Sequence, residues 1–118
     1  MAAAKGVLKS LYDTMPRSIR VGNITYKVLV QPQLQMDAMQ CMGICFLDKS
    51  EIWLSPELHD QMLAETLLHE VLHAVHANFD LNDDSDEESF TLLTARGIAQ
   101  LWYDNPKLIA WFGGVFSK

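Results

Sequence analysis

A chain of 118 residues, 49% hydrophobic and 20% charged, is long enough for one packed core and too short for a second, so a single domain spanning residues 1–118 is expected. A formal net charge of −6, with nine Lys and Arg scattered along the chain, provides no basic cluster to follow a phosphate backbone and disfavours nucleic acid as a partner. Leu108 to Phe116, the longest apolar run, is about half of what a membrane-spanning helix needs, and Met1 to Lys5 lacks the apolar stretch of a secretory signal, so a soluble cytoplasmic protein is expected.

In chain order, Val7 to Met15 reads as a short helix stopped by Pro16. Ser18 to Val30 carries β-branched residues at a period near two around Gly22-Asn23, which predicts a hairpin. Gln31 to Gln40 has no clear period and is expected to be a loop or an irregular turn of helix. Cys41 and Cys45, the two cysteines, are expected as reduced, packed thiols, since a structural zinc site would need a second pair. Met42 to Leu47 and Glu51 to Leu54 predict a second pair of strands joined through Asp48-Lys49-Ser50. Ser55-Pro56-Glu57 then has the form of a helix start, with a cap residue, a proline at the first helical position and an acid in the first turn. The helical pattern runs to about Phe79, with a break near His59-Asp60, and its apolar face is wide: Leu67, Leu68, Val71, Leu72 and Val75. A polar loop from Asp80 to Asp84 leads into a helix from about Ser85 to Asp104. A terminal helix from Pro106 to Phe112 is expected to end at Gly113-Gly114. Helix, four short strands, two long helices and a tail make an α+β domain.

The chemistry is concentrated in His69-Glu70-Val71-Leu72-His73. Residues four apart share a helix face, so both imidazoles can point at one ion. Zinc accepts neutral imidazoles in a tetrahedral shell, and a catalytic site adds a third protein ligand and a water. Glu70, rotated about 100° from His69, sits beside the metal, where it can take a proton from the water as that water attacks a carbonyl. That division of roles is the physical content of the pattern His-Glu-x-x-His.

A third ligand has to come from elsewhere. Asp80, Asp83, Asp84, Asp86, Glu87 and Glu88 crowd the start of the following helix. Acids there also favour the helix N-terminus, and Ser85-x-x-Glu88 fits a capping box. Glu88 shares its face with Leu92, Ala95, Ile98 and Ala99, whose small residues would let that face approach the motif helix; Glu87 shares its face with Phe90, Thr94 and Gly97. Helical periodicity prefers Glu88 and leaves Glu87 as the alternative. His76 is on the motif face but about 10 Å along the axis from His69, too far for the same ion on a straight helix. Tyr26 and Tyr103 are candidate oxyanion donors, and more simply buried aromatics.

His69 to Val75, the acidic loop, Glu87-Glu88, Gly97 to Leu101 and Asp104-Asn105-Pro106, with Gly43 and Ile52-Trp53-Leu54 upstream, resemble small phage-encoded zinc metallopeptidases. These are gluzincin-like proteins distantly similar to the ImmA/IrrE peptidases, and the likeness covers roughly residues 18–112. It implies a minimal zincin-like fold with a small twisted, mainly antiparallel sheet whose edge strand would hold an extended peptide. It further implies one Zn2+ on His69, His73 and a Glu of the next helix, catalysis by Glu70, and a host cytoplasm as the setting.

The expected activity is therefore peptide-bond hydrolysis of a polypeptide substrate by a monomer. Glu51 to Leu54 is a candidate edge strand for capturing that substrate. Two other classes remain open at this level: a metal-dependent endoribonuclease of the YbeY type, and a zinc-stabilised binding module without catalysis.

Overall fold

A computed structural model describes residues 11–79 and 86–117 of the chain. The predicted hairpin is present: β1 (Ser18–Val21) and β2 (Ile24–Val30) pair antiparallel, with Arg20 opposite Thr25 and Val21 opposite Ile24. Gly22 takes φ +60° in the turn, a left-handed conformation that glycine adopts without the cost of a Cβ. Along β1 burial alternates strictly, with Ile19 and Val21 inward, the period-two pattern seen in the sequence. The second pair, β3 (Gly43–Phe46) and β4 (Glu51–Leu54), is also antiparallel.

How the two pairs join was not readable from local pattern. β2 pairs parallel with β4, giving the order β1-β2-β4-β3 in a mixed four-stranded sheet. Two of the three pairings are antiparallel, and the domain is α+β. Glu51–Leu54, expected as an edge, is thus an inner strand, and the edges are β1 and β3. Burial accounts for this: Ile52 and Leu54 are fully buried and Trp53 is 9% exposed, so β4 has apolar side chains on both faces, as inner strands do. The segment expected as loop or irregular helix contains α2 (Gln33–Met39), which buries Met36 and ends on Gln40 at φ 56°.

The motif helix α3 (Asp60–Asn78) begins five residues later than Ser55. Ser55 caps only a single turn: its Oγ accepts from Glu57 N at 3.0 Å. Leu58, 2% exposed, is then drawn into the core, and His59 is extended at φ −148°. The Tyr12 hydroxyl bonds the carbonyls of Ser55 and Leu58 and fixes that detour. From α3, Leu63, Leu67, Val71, Ala74 and Val75 pack on Ile19, Val21, Val28, Ile52 and Leu54 of the sheet. Each large side chain so buried contributes about 1.5–3 kcal/mol.

Helix α4 (Glu87–Asp104) is capped by Asp86, whose side chain accepts from Ser89 N at 2.7 Å. The capping box expected at Ser85 lies outside the described residues, as does the Val7–Ser10 part of the first predicted helix, of which Leu11–Thr14 is α1. The last helix, α5 (Pro106–Phe116), runs through Gly113 and Gly114 instead of stopping at them. Buried Trp111 and Val115 on either side of the pair hold that turn against the core, which outweighs glycine's helix penalty of about 1 kcal/mol. No described helix is long and apolar enough to cross a membrane.

The outer edge of β1 is closed by side-chain amides. Asn105 Oδ1 accepts from Arg20 N at 2.7 Å while its Nδ2 donates to Arg20 O at 2.8 Å. Gln100 repeats the pattern, accepting from Gly22 N at 2.8 Å and donating to Arg20 O at 2.9 Å. The two amides act as a substitute strand, and β3 is left as the sheet edge without such a cover among the described residues.

Candidate metal centre

His69, Glu70 and His73 come together on α3, one potential ligand atom from each lying within 4.8 Å of the others. The two imidazole Nε2 atoms are 3.1 Å apart, with the rings edge-to-face at 76°. Two nitrogens each about 2.05 Å from a tetrahedral ion would stand about 3.3 Å apart. The observed spacing fits a shared ion with little adjustment. It also fits a hydrogen bond between neighbouring imidazoles, so the pair alone does not decide. Both rings are exposed, whereas Glu70 between them is 6% exposed. A helix would turn an idle glutamate outward; this one is turned inward against the sheet.

Its pocket is formed by β3. A β-carbon placed on Gly43 would lie 2.7 Å from Thr66 Cγ2 and 3.3 Å from Glu70 Oε2. Burial pushes the Glu70 carboxyl above its ordinary value. His69, then His73, and last a backbone hydrogen bond from Cys45 pull it back by favouring the charged form. The same charge acts on the thiols: Cys45 is pushed up to about 11, first by burial and then by Glu70. Cys41 is raised by the same two causes, with the Gly43 backbone opposing. Both cysteines are free, as expected, and both border the site.

The acids proposed as third ligand are not part of this cluster. Glu87 and Glu88 are exposed in the first turn of α4. The packing of α4 bears on the preference for Glu88, because the face assumed to meet α3 does not. Leu92 is 48% exposed, and Ala95 and Ala99 are exposed. Close approach is instead made by Gly97, where an added β-carbon would meet Val75 Cγ1 at 2.7 Å and Phe79 Cδ1 at 3.2 Å. Phe90 stacks edge-on to His76 with centroids 6.0 Å apart. Glu87 shares the face of Phe90, Thr94 and Gly97, and so lies on the side of α4 that packs on α3. Asp80, Asp83 and Asp84 lie outside the described residues.

Of the other candidates, His76 is exposed on α3 and joins no ligand cluster among the described residues. Tyr26 is 2% exposed, and its hydroxyl accepts from Asn78 Nδ2 at 2.9 Å, the role of a buried aromatic. Tyr103 is 83% exposed at the far end of α4. In the sequence Cys45 reads only as a packed thiol and Gly43 only as part of a pattern, and nothing singles out Thr66. A glycine opening a strand beside a His-Glu-x-x-His helix was the available signal.

No family model, curated protein or solved structure matches this chain.

Proposed function

We propose that the chain is a minimal zincin-like peptidase that binds one zinc ion through His69 and His73 and uses Glu70 as its general base. The observation that carries this reading is the pairing of two exposed Nε2 atoms 3.1 Å apart with a buried carboxylate between them. Zinc would supply a water acidified towards pH ~7 and a Lewis acid for the scissile carbonyl. Glu70 accepts the proton of the attacking water and passes it to the leaving amine. Its partly desolvated position suits that exchange, because burial brings a carboxylate closer to the pKa of the groups it trades protons with. The third protein ligand is drawn from the first turn of α4, with Glu87 favoured by its face and Glu88 as the alternative.

Substrate would enter as an extended polypeptide along β3, the open edge next to Glu70. This replaces Glu51–Leu54 in that role, since β4 has neighbours on both sides. Metal analysis of the purified chain should return one zinc, lost in His73→Ala. Glu70→Gln should keep the zinc and lose cleavage of a quenched fluorescent peptide library. Absence of zinc sinks the site, and cleavage undiminished in Glu70→Gln sinks the assigned base.

A further inference from the structure

We propose that the outward backbone N–H of Cys45 on β3 is the donor that orients the Glu70 carboxylate, and that Gly43 is there to let the strand come close enough to do so. The peptidase reading supplies what Glu70 does; the claim about where Glu70 is held does not depend on it.

The direction of the Cys45 amide follows from the ladder. Ser55 N donates to Met42 O at 2.9 Å, continuing the antiparallel register in which Ile44 faces Trp53 and Phe46 faces Glu51. Bonded and non-bonded pairs alternate in such a ladder. With 42/55 bonded, Ile44 and Phe46 spend their backbone groups on β4, and Gly43 and Cys45 turn theirs to the open edge, where their carbonyls stay available to a substrate strand. An outward N–H there needs water or a partner. α3 brings one: the Glu70 carboxylate lies against Gly43, two residues along the same strand, and the Cys45 backbone is among the groups that favour its charged form. The Cys45 backbone is the last of the influences on that carboxylate, and catalytic hydrogen bonds commonly tighten only with substrate bound. A carboxylate has two acceptor oxygens; one taken by the strand leaves the other for the side where His69 and His73 stand.

Gly43 completes the arrangement. Any β-carbon there would press on Thr66 Cγ2 at 2.7 Å, on Glu70 Oε2 at 3.3 Å and on Glu70 Cγ at 3.4 Å. Simple packing of β3 on α3 would account for the Thr66 contact; it would not require that the neighbouring outward amide serve the base.

Amide exchange by NMR on the metal-free protein tests the position without any activity. In Glu70→Ala the Cys45 amide should exchange about tenfold faster or more, the scale of one lost charge-assisted hydrogen bond. Ile44 and Phe46 amides, bonded to β4, should keep their protection and report an intact strand. Equal Cys45 exchange in the two proteins overturns the proposal. For the zinc-loaded enzyme, Cys45→Ala keeps the N–H and Cys45→Pro removes it at an edge position that proline tolerates. On one synthetic peptide selected from the library, Cys45→Pro should lower kcat about tenfold further than Cys45→Ala does, with KM and zinc stoichiometry the same in the two variants. Equal kcat in the two variants would again overturn it. The pair Gly43→Ala with Thr66→Ser removes the Thr66 methyl and keeps the pressure on Glu70, so it should fold, bind zinc and lose kcat; full kcat there contradicts the role given to Gly43. A wild type that cuts no peptide defeats the peptidase reading and leaves the exchange result standing.

Discussion

As the proposed base, Glu70 meets opposing demands, because a general base works best partly desolvated and a fold is best served by keeping carboxylates in water. Its folded-state pKa is raised by burial. An acid raised in this way contributes most to stability below its ordinary range and loses that contribution as pH rises through the folded-state value. Metal-free Glu70→Gln is therefore expected to be at least as stable as wild type in urea at pH 7, while the proposed zinc-dependent cleavage should fall by about 10²–10⁴-fold. A variant that is much less stable at neutral pH would show that the carboxylate holds the fold and does not tax it. Cys45 gives an independent reading of the same charge. Its thiol, pushed up to about 11 by burial and then by Glu70, should resist iodoacetamide at pH 8 and react as pH approaches 11, since only the thiolate attacks. Removing the charge in Glu70→Gln should shift that alkylation profile to lower pH in the metal-free protein. An unmoved profile would mean that the thiol does not sense the carboxylate.

Between elements, the glycines separate two roles that composition treats alike. At Gly97 an alanine methyl would meet Val75 Cγ1 at 2.7 Å, and Val75 is fully buried. The helix-propensity gain of about 1 kcal/mol is set against an overpacking cost of about 1–3 kcal/mol, so Gly97→Ala should lower Tm. At Gly113 nothing lies within 4 Å of an added methyl, and Gly113→Ala should raise Tm by the propensity term. Opposite signs for one substitution in two helices would place the α3–α4 contact at Gly97; equal signs would remove it. The same contact decides which acid faces α3. If the third ligand comes from α4, Glu87→Gln should weaken zinc binding more than Glu88→Gln, measured by competition with a chelator. These elements also show what local pattern can carry. The Gly22-Asn23 hairpin, the span of α3 after its first residues and the His69-Glu70-His73 cluster were readable, because each depends on neighbours within a turn or a strand pair. The inner position of β4, the face by which α4 meets α3 and the passage of α5 through two glycines were not, because each is set by residues far along the chain: Val28 beside Ile52, Val75 beside Gly97, and Trp111 Nε1 donating to Leu11 O.

For the molecule as a whole, the sheet has one closed edge and, among the described residues, one open edge, and the His69-Glu70-His73 cluster lies beside the open one. Asn105, 8% exposed, closes β1 with two hydrogen bonds, to Arg20 N and Arg20 O, and is anchored to α4 by a third, to Leu101 O. Gln100 shares the Arg20 carbonyl and takes Gly22 N. Asn105→Ala leaves Arg20 N without its acceptor and should cost about 1–3 kcal/mol in urea unfolding. Adding Gln100→Ala would strip the rest of the cover and expose a second edge to pairing between molecules, so self-association should rise with protein concentration in sedimentation or light scattering. Zinc affinity should not change in either variant if they still fold, because β2 and β4 lie between β1 and the β3 edge that faces Glu70. Two outcomes are thereby tied to two edges: loss of the amides alters association and leaves the metal, and changes at Gly43 or Cys45 alter the base and leave association. A zinc site that weakens with Asn105→Ala in a protein still folded by its NMR spectrum would show that the two edges are coupled through the sheet, and would count against β3 as an independent platform for substrate.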